Sequence, residues 1–394
     1  MIDAMEPIDW TGRKKVNLAL QGGGSHSAFT WGVLDYLLED SRLDIEAITG
    51  TSPGAMNAVV LAEGYLEGGR AGARKNLARF WRSISDAEVF PPAERKFLDL
   101  FFTLPLPSMV TQWWNDYLTH YSSPYDFNPL NINPLRDHLE KTVDFEKVRA
   151  LTELKLFVAA TNVHTGRIKV FEGPELTADH VTASTCLPYL FQAVEIDGVP
   201  YWDGGFMGNP ALFPLFYKTA CPDIVIVQIS PVERDATPRS AADIQDRLNE
   251  ITFSGALLGE MRAIDFVNRL IDSGKLSRDE YIRPFVPRID GGCCLEPFSA
   301  SSKLDATWSL ISKLHRFGRE AAKQWLDETY DSIGREGTLD LRMAYSGPAQ
   351  KRPCSRIRNC DRCFSHSHAT KPQQIMNERN GGEPIGPCAP PDRC

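Results

Sequence analysis

A serine flanked by glycines lies in a turn between a strand-like and a helix-like stretch of the sequence. Residues 45–48 have the pattern of a short strand, residues 55–66 have that of a helix, and residues 50–54 (GTSPG) separate them. A sharp strand-to-helix turn exposes its serine and requires glycine where the backbone is crowded. The motif therefore predicts an α/β fold in which Ser52 is a nucleophile. Without this context, a G-x-S-x-G string would be read as an ordinary Gly/Ser turn.

The oxyanion donors of such a site must come from elsewhere, because Pro53 follows the serine and has no N–H to donate. A second glycine turn, residues 22–24 (GGG), follows the apolar run 16–20 and precedes a helical stretch. Its flexible backbone can aim successive N–H groups at a developing negative charge. The same turn could hold a nucleotide phosphate, but the dinucleotide-binding spacing would end in glycine where this chain has Ser27.

A carboxylate that could act as a general base follows a later strand. Asp203 and the two glycines after it end a hairpin that is predicted from residues 193–196 and 199–202. Asp-Gly is also a common turn dipeptide, so this motif is informative only together with the other two. With them, it predicts that Asp203 accepts the proton of Ser52.

The wider pattern predicts one sheet followed by helices. Strand, glycine turn and helix occur twice in succession near the N-terminus, which implies parallel strands. Further predicted elements are a hairpin from residues 156–160 and 168–171, a helix at 178–185, a strand at 224–229, and two helices at 241–272 and 301–330.

The three motifs, in this order, resemble the patatin-like phospholipase family, and residues 126–130 (DFNPL) and 202–206 (WDGGF) resemble a bacterial branch of it. The resemblance spans residues 16–217. It implies a three-layer α/β/α sandwich with a mostly parallel central sheet, here with a C-terminal helical extension. We expect an acyl hydrolase domain at 16–217 with an aromatic and Pro-rich insertion at 80–135. The last strand and the helical extension would occupy 218–345, and a flexible Cys- and Pro-rich basic tail 346–394.

The resemblance also implies the chemistry. Members of the family hydrolyse lipid acyl esters through an acyl-enzyme with a Ser–Asp dyad, without histidine and without a cofactor, and the dyad here would be Ser52 and Asp203. The remaining implied site residues are Gly22, Gly23 and Gly24 as the oxyanion hole and Gly50, Gly54, Gly204 and Gly205 as support for the two turns. This chain has Ser27 where the family commonly has glycine. It has His26 where a basic residue is frequent, and we expect His26 at a solvent-facing or helix-terminal position.

Other functions remain open. An intracellular polyester depolymerase or a small-ester carboxylesterase would use the same dyad, and a catalytically silent lipid-binding protein is suggested by Ser27. A Ser-His-Asp triad would need a histidine after Asp203, and the candidates are His315, His366 and His368. Because His315 lies in a helical pattern and the other two lie in the tail, the dyad is the preferred interpretation.

Charge argues against nucleic acid as a partner. The 43 Lys and Arg residues against 51 Asp and Glu give a net charge of −8, whereas nucleic-acid binding needs clustered cations. The expected partner is a phospholipid or another lipid ester, and the sequence does not indicate the oligomeric state. No apolar run reaches the length of a membrane span, and residues 1–15 lack a signal-peptide pattern. We therefore expect a cytoplasmic protein, with peripheral contact to a membrane or lipid particle through the aromatic residues 97–118 as an alternative.

Five of the nine cysteines lie in the tail. Cys360 and Cys363, with His366 and His368 close behind, have the spacing of a metal site. A single C-x-x-C unit is a weaker signal than a pair of them, so we predict no bound metal and keep a zinc knuckle as the alternative.

Overall fold

An eight-stranded sheet forms the centre of the fold. The computed structural model describes residues 12–86, 123–234, 236–295, 298, 302–303, 305–345 and 347. The strands are β1 (Lys14–Leu20), β2 (Leu43–Thr51), β3 (Lys155–Asn162), β4 (Ile168–Glu172), β5 (Val194–Ile196), β6 (Val199–Asp203), β7 (Ile224–Gln228) and β8 (Arg288–Asp290).

The sheet is mixed and mostly parallel. Its strand order is β5-β6-β3-β2-β1-β7-β8, and β4 pairs with β3 outside this path. The five strands from β3 to β8 in this order run parallel to one another, whereas β4 and β6 pair antiparallel with β3, and β5 with β6. Both predicted hairpins are therefore confirmed. The carboxyl ends of β2, β1 and β7 lie side by side at one edge of the sheet.

Helices cover the sheet and connect its strands. They are α1 (Ala28–Asp40), α2 (Pro53–Ser85), α3 (Pro124–Phe127), α4 (Pro134–Thr142), α5 (Phe145–Ala150), α6 (Ala178–Thr185), α7 (Phe213–Lys218), α8 (Ala241–Asp272), α9 (Trp308–Thr329) and α10 (Leu341–Tyr345). Two short 3₁₀ turns are relevant to the site: Gly24–Ser27 is separated from the end of β1 by three residues, and Gly204–Phe206 follows β6 directly.

Side chains of β1 show how both faces of the sheet are buried. Val16, Leu18 and Leu20 belong to an apolar core that includes residues of α1, α2 and α9. Ala19 belongs to a second core that includes residues of α8 and α10. Successive side chains of a strand point to opposite faces, so each core fills the space between the sheet and one helical layer. The predicted three-layer α/β/α architecture is confirmed.

Two glycines allow α1 and α9 to pack backbone to backbone. A Cβ atom added at Gly32 would overlap the carbonyl oxygen of His315, and one added at Gly318 would overlap that of Phe29. Any larger residue at either position would force the two helices apart.

Several elements differ from the sequence-based expectation. The second helix, predicted to end near Leu66, continues to Ser85 through Gly68 and Gly69, whose backbone angles are not helical. The sequence pattern does not indicate the short strand β8, which pairs with β7. Most of the expected insertion, including residues 97–118, and the expected tail apart from residue 347 lie outside the described residues, and the domain boundaries stay a prediction.

Candidate active site

Ser52 occupies the turn between β2 and α2, as the sequence predicts. Its backbone has φ 57° and ψ −131°, a conformation that costs a non-glycine residue about 1–3 kcal/mol and is concentrated at functional sites. The side chain is 8% exposed. Pro53 then provides the first residue of α2, where its missing N–H costs the helix nothing.

The glycines around the serine are required by close backbone contacts. A Cβ atom at Gly50 would lie 2.7 Å from the amide nitrogen of Ala55, and one at Gly54 would overlap the carbonyl oxygen of Leu20. The turn is therefore compressed between its own helix and the neighbouring strand β1. This explains the glycines of the motif without assigning them a chemical role.

Asp203 is brought to Ser52 by the pairing of β6 with β3. Its Oδ2 accepts a hydrogen bond of 2.8 Å from Ser52 Oγ, and its Oδ1 accepts one of 2.6 Å from the amide of Gly205. The Thr161 hydroxyl donates to the Asp203 carbonyl oxygen at 2.8 Å. A Cβ atom at Gly204 would overlap the carbonyl oxygen of Ala159, so glycine is needed where the chain leaves the strand.

Burial makes the Asp203 carboxylate a stronger base than an exposed one. The side chain is 1% exposed, and this desolvation raises its pKa to about 7, although the hydrogen bonds from Gly205 and Ser52 oppose the increase. A carboxylate with a pKa near neutrality is suited to general-base chemistry at physiological pH.

The three loop glycines are not equivalent. The amide of Gly22 donates to Asn209 Oδ1 at 2.7 Å, and Asn209 Nδ2 donates back to the Gly22 carbonyl oxygen at 3.3 Å. Gly22 therefore differs from the expectation that it is an oxyanion donor, because its N–H already donates to Asn209. A Cβ atom at this position would lie 2.7 Å from the Cβ of Ser52, so Gly22 makes room beside the serine.

Gly23 and Gly24 remain the candidate donors. Within the described part of the chain, neither amide donates a hydrogen bond to a protein acceptor. Gly24 has φ +58°, a left-handed conformation that favours glycine.

His26 is buried rather than solvent-facing. Its Nε2 lies 2.7 Å from Ser302 Oγ, and its ring packs edge-on against Phe298 at 5.7 Å between centroids. Burial, together with the positive charges of Lys303 and Arg234, lowers the pKa of His26 to about 3. The imidazole is therefore neutral at physiological pH.

His315 is positioned away from the dyad. It lies on α9, where its ring contacts Trp31 with centroids 3.8 Å apart and its Nε2 lies 3.3 Å from Asp35 Oδ2. His366 and His368 lie outside the described residues. Among the described residues, no hydrogen bond joins His315 to Ser52 or Asp203.

Two supporting residues were missed by sequence reasoning. The buried Ser184, in the last turn of α6, accepts the backbone N–H of Ser52 at 2.8 Å, and Asn209 anchors the glycine loop. No local pattern marks either residue, since each acts on a partner more than 100 residues away in the chain.

The described part of the chain contains neither a cluster of metal ligands nor a membrane-spanning helix. Among the described residues, no group of three or more His, Cys, Asp or Glu side chains could hold a metal ion, and the candidate ligands Cys360, Cys363, His366 and His368 lie outside them. No helix in the described ranges combines the length and the apolar character needed to cross a membrane.

Comparison with known proteins identifies the family. The chain belongs to the patatin-like phospholipase family, whose sequence profile matches residues 18–216. This confirms the resemblance carried by the three glycine motifs. A comparison with curated proteins yields no significant match.

Solved structures of two bacterial proteins are similar to this chain. VipD from Legionella pneumophila is 16% identical, with a TM-score of 0.37 over 79% of this chain and 67% of that chain. The type III effector protein ExoU, from Pseudomonas aeruginosa, is 14% identical, with a TM-score of 0.31 over 79% of this chain and 53% of that chain. The matched region thus spans about half of that ExoU chain.

Proposed function

We propose that this protein hydrolyses the acyl esters of lipids, with Ser52 as the nucleophile and Asp203 as the general base. The observation that carries the proposal is the 2.8 Å hydrogen bond from Ser52 Oγ to a buried carboxylate, made by a serine in a strained turn. Membership of the patatin-like phospholipase family supports a lipid ester as the substrate class.

The reaction would proceed in two steps through an acyl-enzyme. Asp203 accepts the hydroxyl proton as Ser52 Oγ attacks the ester carbonyl carbon, and the amides of Gly23 and Gly24 stabilise the oxyanion. Asp203 returns the proton to the departing alcohol as the C–O bond breaks. It then accepts a proton from the water that attacks the acyl-enzyme, and Ser52 regains its proton when the fatty acid leaves. The scheme uses no cofactor.

Ser184 would keep the nucleophile in place during both steps. Thr51 is the last residue of β2 that pairs with β3. The backbone N–H of the next residue, Ser52, donates to the hydroxyl of Ser184. A buried amide without an acceptor costs about 1–3 kcal/mol, so this hydroxyl stabilises the strained conformation that directs Ser52 Oγ toward Asp203.

Helix α8 would provide the contact with a lipid surface. Ile244, Leu248 and Ile251 are 44%, 52% and 53% exposed, and their spacing puts them on one side of the helix. On the opposite side of the helix, Phe253 packs against the Phe206 ring at 4.9 Å between centroids and occupies the space that a Cβ atom at Gly205 would need. The exposed apolar stripe therefore faces away from the turn that follows Asp203, on the outer side of α8.

Vesicle binding tests this contact. Replacing the three stripe residues by Gln should reduce sedimentation of the protein with phosphatidylcholine vesicles, while hydrolysis of a soluble short-chain ester should stay near the wild-type rate. Unchanged sedimentation would contradict a role for the stripe.

Labelling with a fluorophosphonate probe tests the nucleophile without knowledge of the natural substrate. Wild type should be labelled, Ser52→Ala should not, Asp203→Asn should be labelled much more slowly, and the exposed control Ser273→Ala should behave as wild type. Ser52→Ala should also reduce ester turnover by several orders of magnitude. Labelling that persists in folded Ser52→Ala would refute the assignment.

Substrate profiling separates the proposed lipid hydrolase from the related esterases. Preferential hydrolysis of phospholipids or acylglycerols would support the proposal, and a preference for polyesters or short alkyl esters would favour a depolymerase or carboxylesterase. A folded wild-type protein that binds lipid vesicles without any labelling would indicate a silent lipid-binding protein. The cytoplasmic location stays a prediction.

A further inference from the structure

A lysine from the C-terminal part of the chain lies on the far side of the glycine loop from Ser52. The loops after β2, β1 and β7 are neighbours, because these three strands are consecutive in the sheet. Ser52 follows β2, the glycines follow β1, and the buried Ser230 lies just beyond β7. Lys303 Nζ lies 3.4 Å from Ser230 Oγ.

Two contacts hold Lys303 at the loop. Its carbonyl oxygen occupies the space that a Cβ atom at Gly24 would need, and the preceding residue, Ser302, contacts His26 Nε2 at 2.7 Å. Ser230 is held as well, since its amide donates to Gln21 Oε1 at 2.9 Å. The ammonium and the hydroxyl are therefore positioned relative to the candidate oxyanion donors.

The described carboxylates balance the charge of Lys303 only in part, since Glu250 and Asp246 act on it from beyond ion-pair distance. Among the described residues, its ammonium makes no ion pair, and Ser230 Oγ is its one hydrogen-bond acceptor, although an ammonium has three donors. The neighbouring Glu250 is engaged by two arginines, Arg234 at 2.6 Å and Arg247 at 3.0 Å. Burial lowers the pKa of Lys303, as expected for a cation that is removed from water without full compensation.

We propose that Lys303 and Ser230 form a subsite for the phosphate group of a phospholipid whose acyl ester lies at Ser52. The proposal rests on the ester hydrolase function proposed above. Adjacent strands are about 4.8 Å apart, so the ends of β2 and β7 are separated by roughly 10 Å. In a glycerophospholipid only a few bonds separate the acyl ester from the phosphate, so one molecule can reach both positions. A phosphate oxygen would receive charge-assisted hydrogen bonds from the ammonium and one from the hydroxyl.

This subsite would determine which esters are preferred. Neutral acylglycerols and polyesters carry no phosphate and would leave the ammonium uncompensated. The family match ends at residue 216, so both Ser230 and Lys303 lie beyond it, and membership of the family does not by itself assign them a role.

Hydrolysis of two matched short-chain substrates tests the subsite. Dihexanoylphosphatidylcholine and dihexanoylglycerol, both below their aggregation concentrations, differ only in the phosphocholine group. Lys303→Met should reduce kcat/KM for the phospholipid by about 10- to 100-fold and for the neutral lipid by less than about threefold. Lys303→Arg should retain most of the preference, and Lys323→Met, the same change at an exposed position of α9, should have no effect. Equal losses on both substrates, or no loss, would overturn the proposal.

Binding measurements separate the subsite from catalysis. In the Ser52→Ala background, dihexanoylphosphatidylcholine should bind at least about tenfold more weakly when Lys303 is also replaced by Met. Lys303-dependent lipid binding by a wild-type protein that hydrolyses neither substrate would support the subsite and refute the hydrolase function. Lipid binding that does not depend on Lys303 would overturn the subsite, whatever the activity. Lys303-dependent binding of inorganic phosphate without binding of the lipid would also overturn it, because the ligand would then be the free anion.

Discussion

Replacing Asp203 by Asn tests the buried carboxylate independently of any substrate. Asn has nearly the same shape, retains an oxygen that can accept the amide of Gly205, and cannot ionise. In the wild-type protein, burial raises the pKa of Asp203 to about 7 from its usual 3.8. Between these two values the folded state binds a proton that the unfolded state has already released.

The sign and size of the effect follow from this difference. Because the folded state holds more protons, the free energy of unfolding of the wild type falls as the pH rises from about 4 to about 7 and is then constant with respect to this group. At about 1.4 kcal/mol for each pH unit, the loss between about pH 4.5 and 8.5 is roughly 3 kcal/mol. Asp203→Asn has no titrating group at this position, so this decrease does not occur in it. The free energy of unfolding of the variant minus that of the wild type should therefore increase by roughly 3 kcal/mol from about pH 4.5 to 8.5.

Urea unfolding of both proteins, followed by tryptophan fluorescence across this pH range, measures the difference. The pKa values of Glu260 and Asp223 are also raised by burial, but both groups are present in the two proteins and cancel in the comparison. A stability difference that does not change with pH would refute the reasoning, because Asp203 would then be ionised throughout.

Three further results are expected. Below about pH 7, kcat/KM for a soluble ester should fall about tenfold per pH unit, because a protonated dyad carboxylate cannot accept a proton, and a flat profile would contradict this. Ser184→Ala should slow fluorophosphonate labelling of Ser52 about tenfold or more, since the serine amide loses its acceptor; an unchanged labelling rate would show that the hydroxyl is dispensable. Gly32→Ala should lower the free energy of urea unfolding by about 1–3 kcal/mol, because the new methyl group meets the His315 carbonyl. At the control position Gly255, an added methyl group would have no neighbour within 4 Å. Gly255→Ala should therefore raise the free energy of unfolding by up to about 1 kcal/mol.

The helices and strands were most predictable where the local pattern and the tertiary environment agree. The helices at 178–185 and 241–272 have the bounds that their periodicity predicts. The second helix was predicted too short because Gly68 and Gly69 resemble a helix stop, whereas the chain changes direction there and the helix resumes. The strand β8 has three residues, two of them charged, and its pairing with β7 depends on tertiary structure that no local pattern reveals.

The residues of the candidate site also differ in how far a local sequence pattern marks them. Ser52 and Asp203 could be predicted because the turns that present them need glycines at characteristic spacing. The roles of Ser184 and Asn209 could not, because a buried serine or asparagine has no distinctive sequence context and its partner is set by packing. The sequence also could not show that the Gly22 N–H is unavailable, because its acceptor is the side chain of the distant residue Asn209.

Burial alone does not distinguish the proposed catalytic base, Asp203, from the other buried carboxyl groups. Among the described carboxyl groups, burial raises the pKa of Asp203 and Glu260 to about 7 each and that of Asp223 to about 6. Glu260 accepts a backbone amide, that of Leu212 at 2.9 Å, and an amide N–H does not give up its proton at these pH values. Asp203 instead accepts a serine hydroxyl, whose proton must leave for the oxygen to attack. Glu260→Gln should therefore remove a comparably buried carboxyl group and leave fluorophosphonate labelling of Ser52 intact, and loss of labelling in a folded Glu260→Gln protein would contradict this distinction.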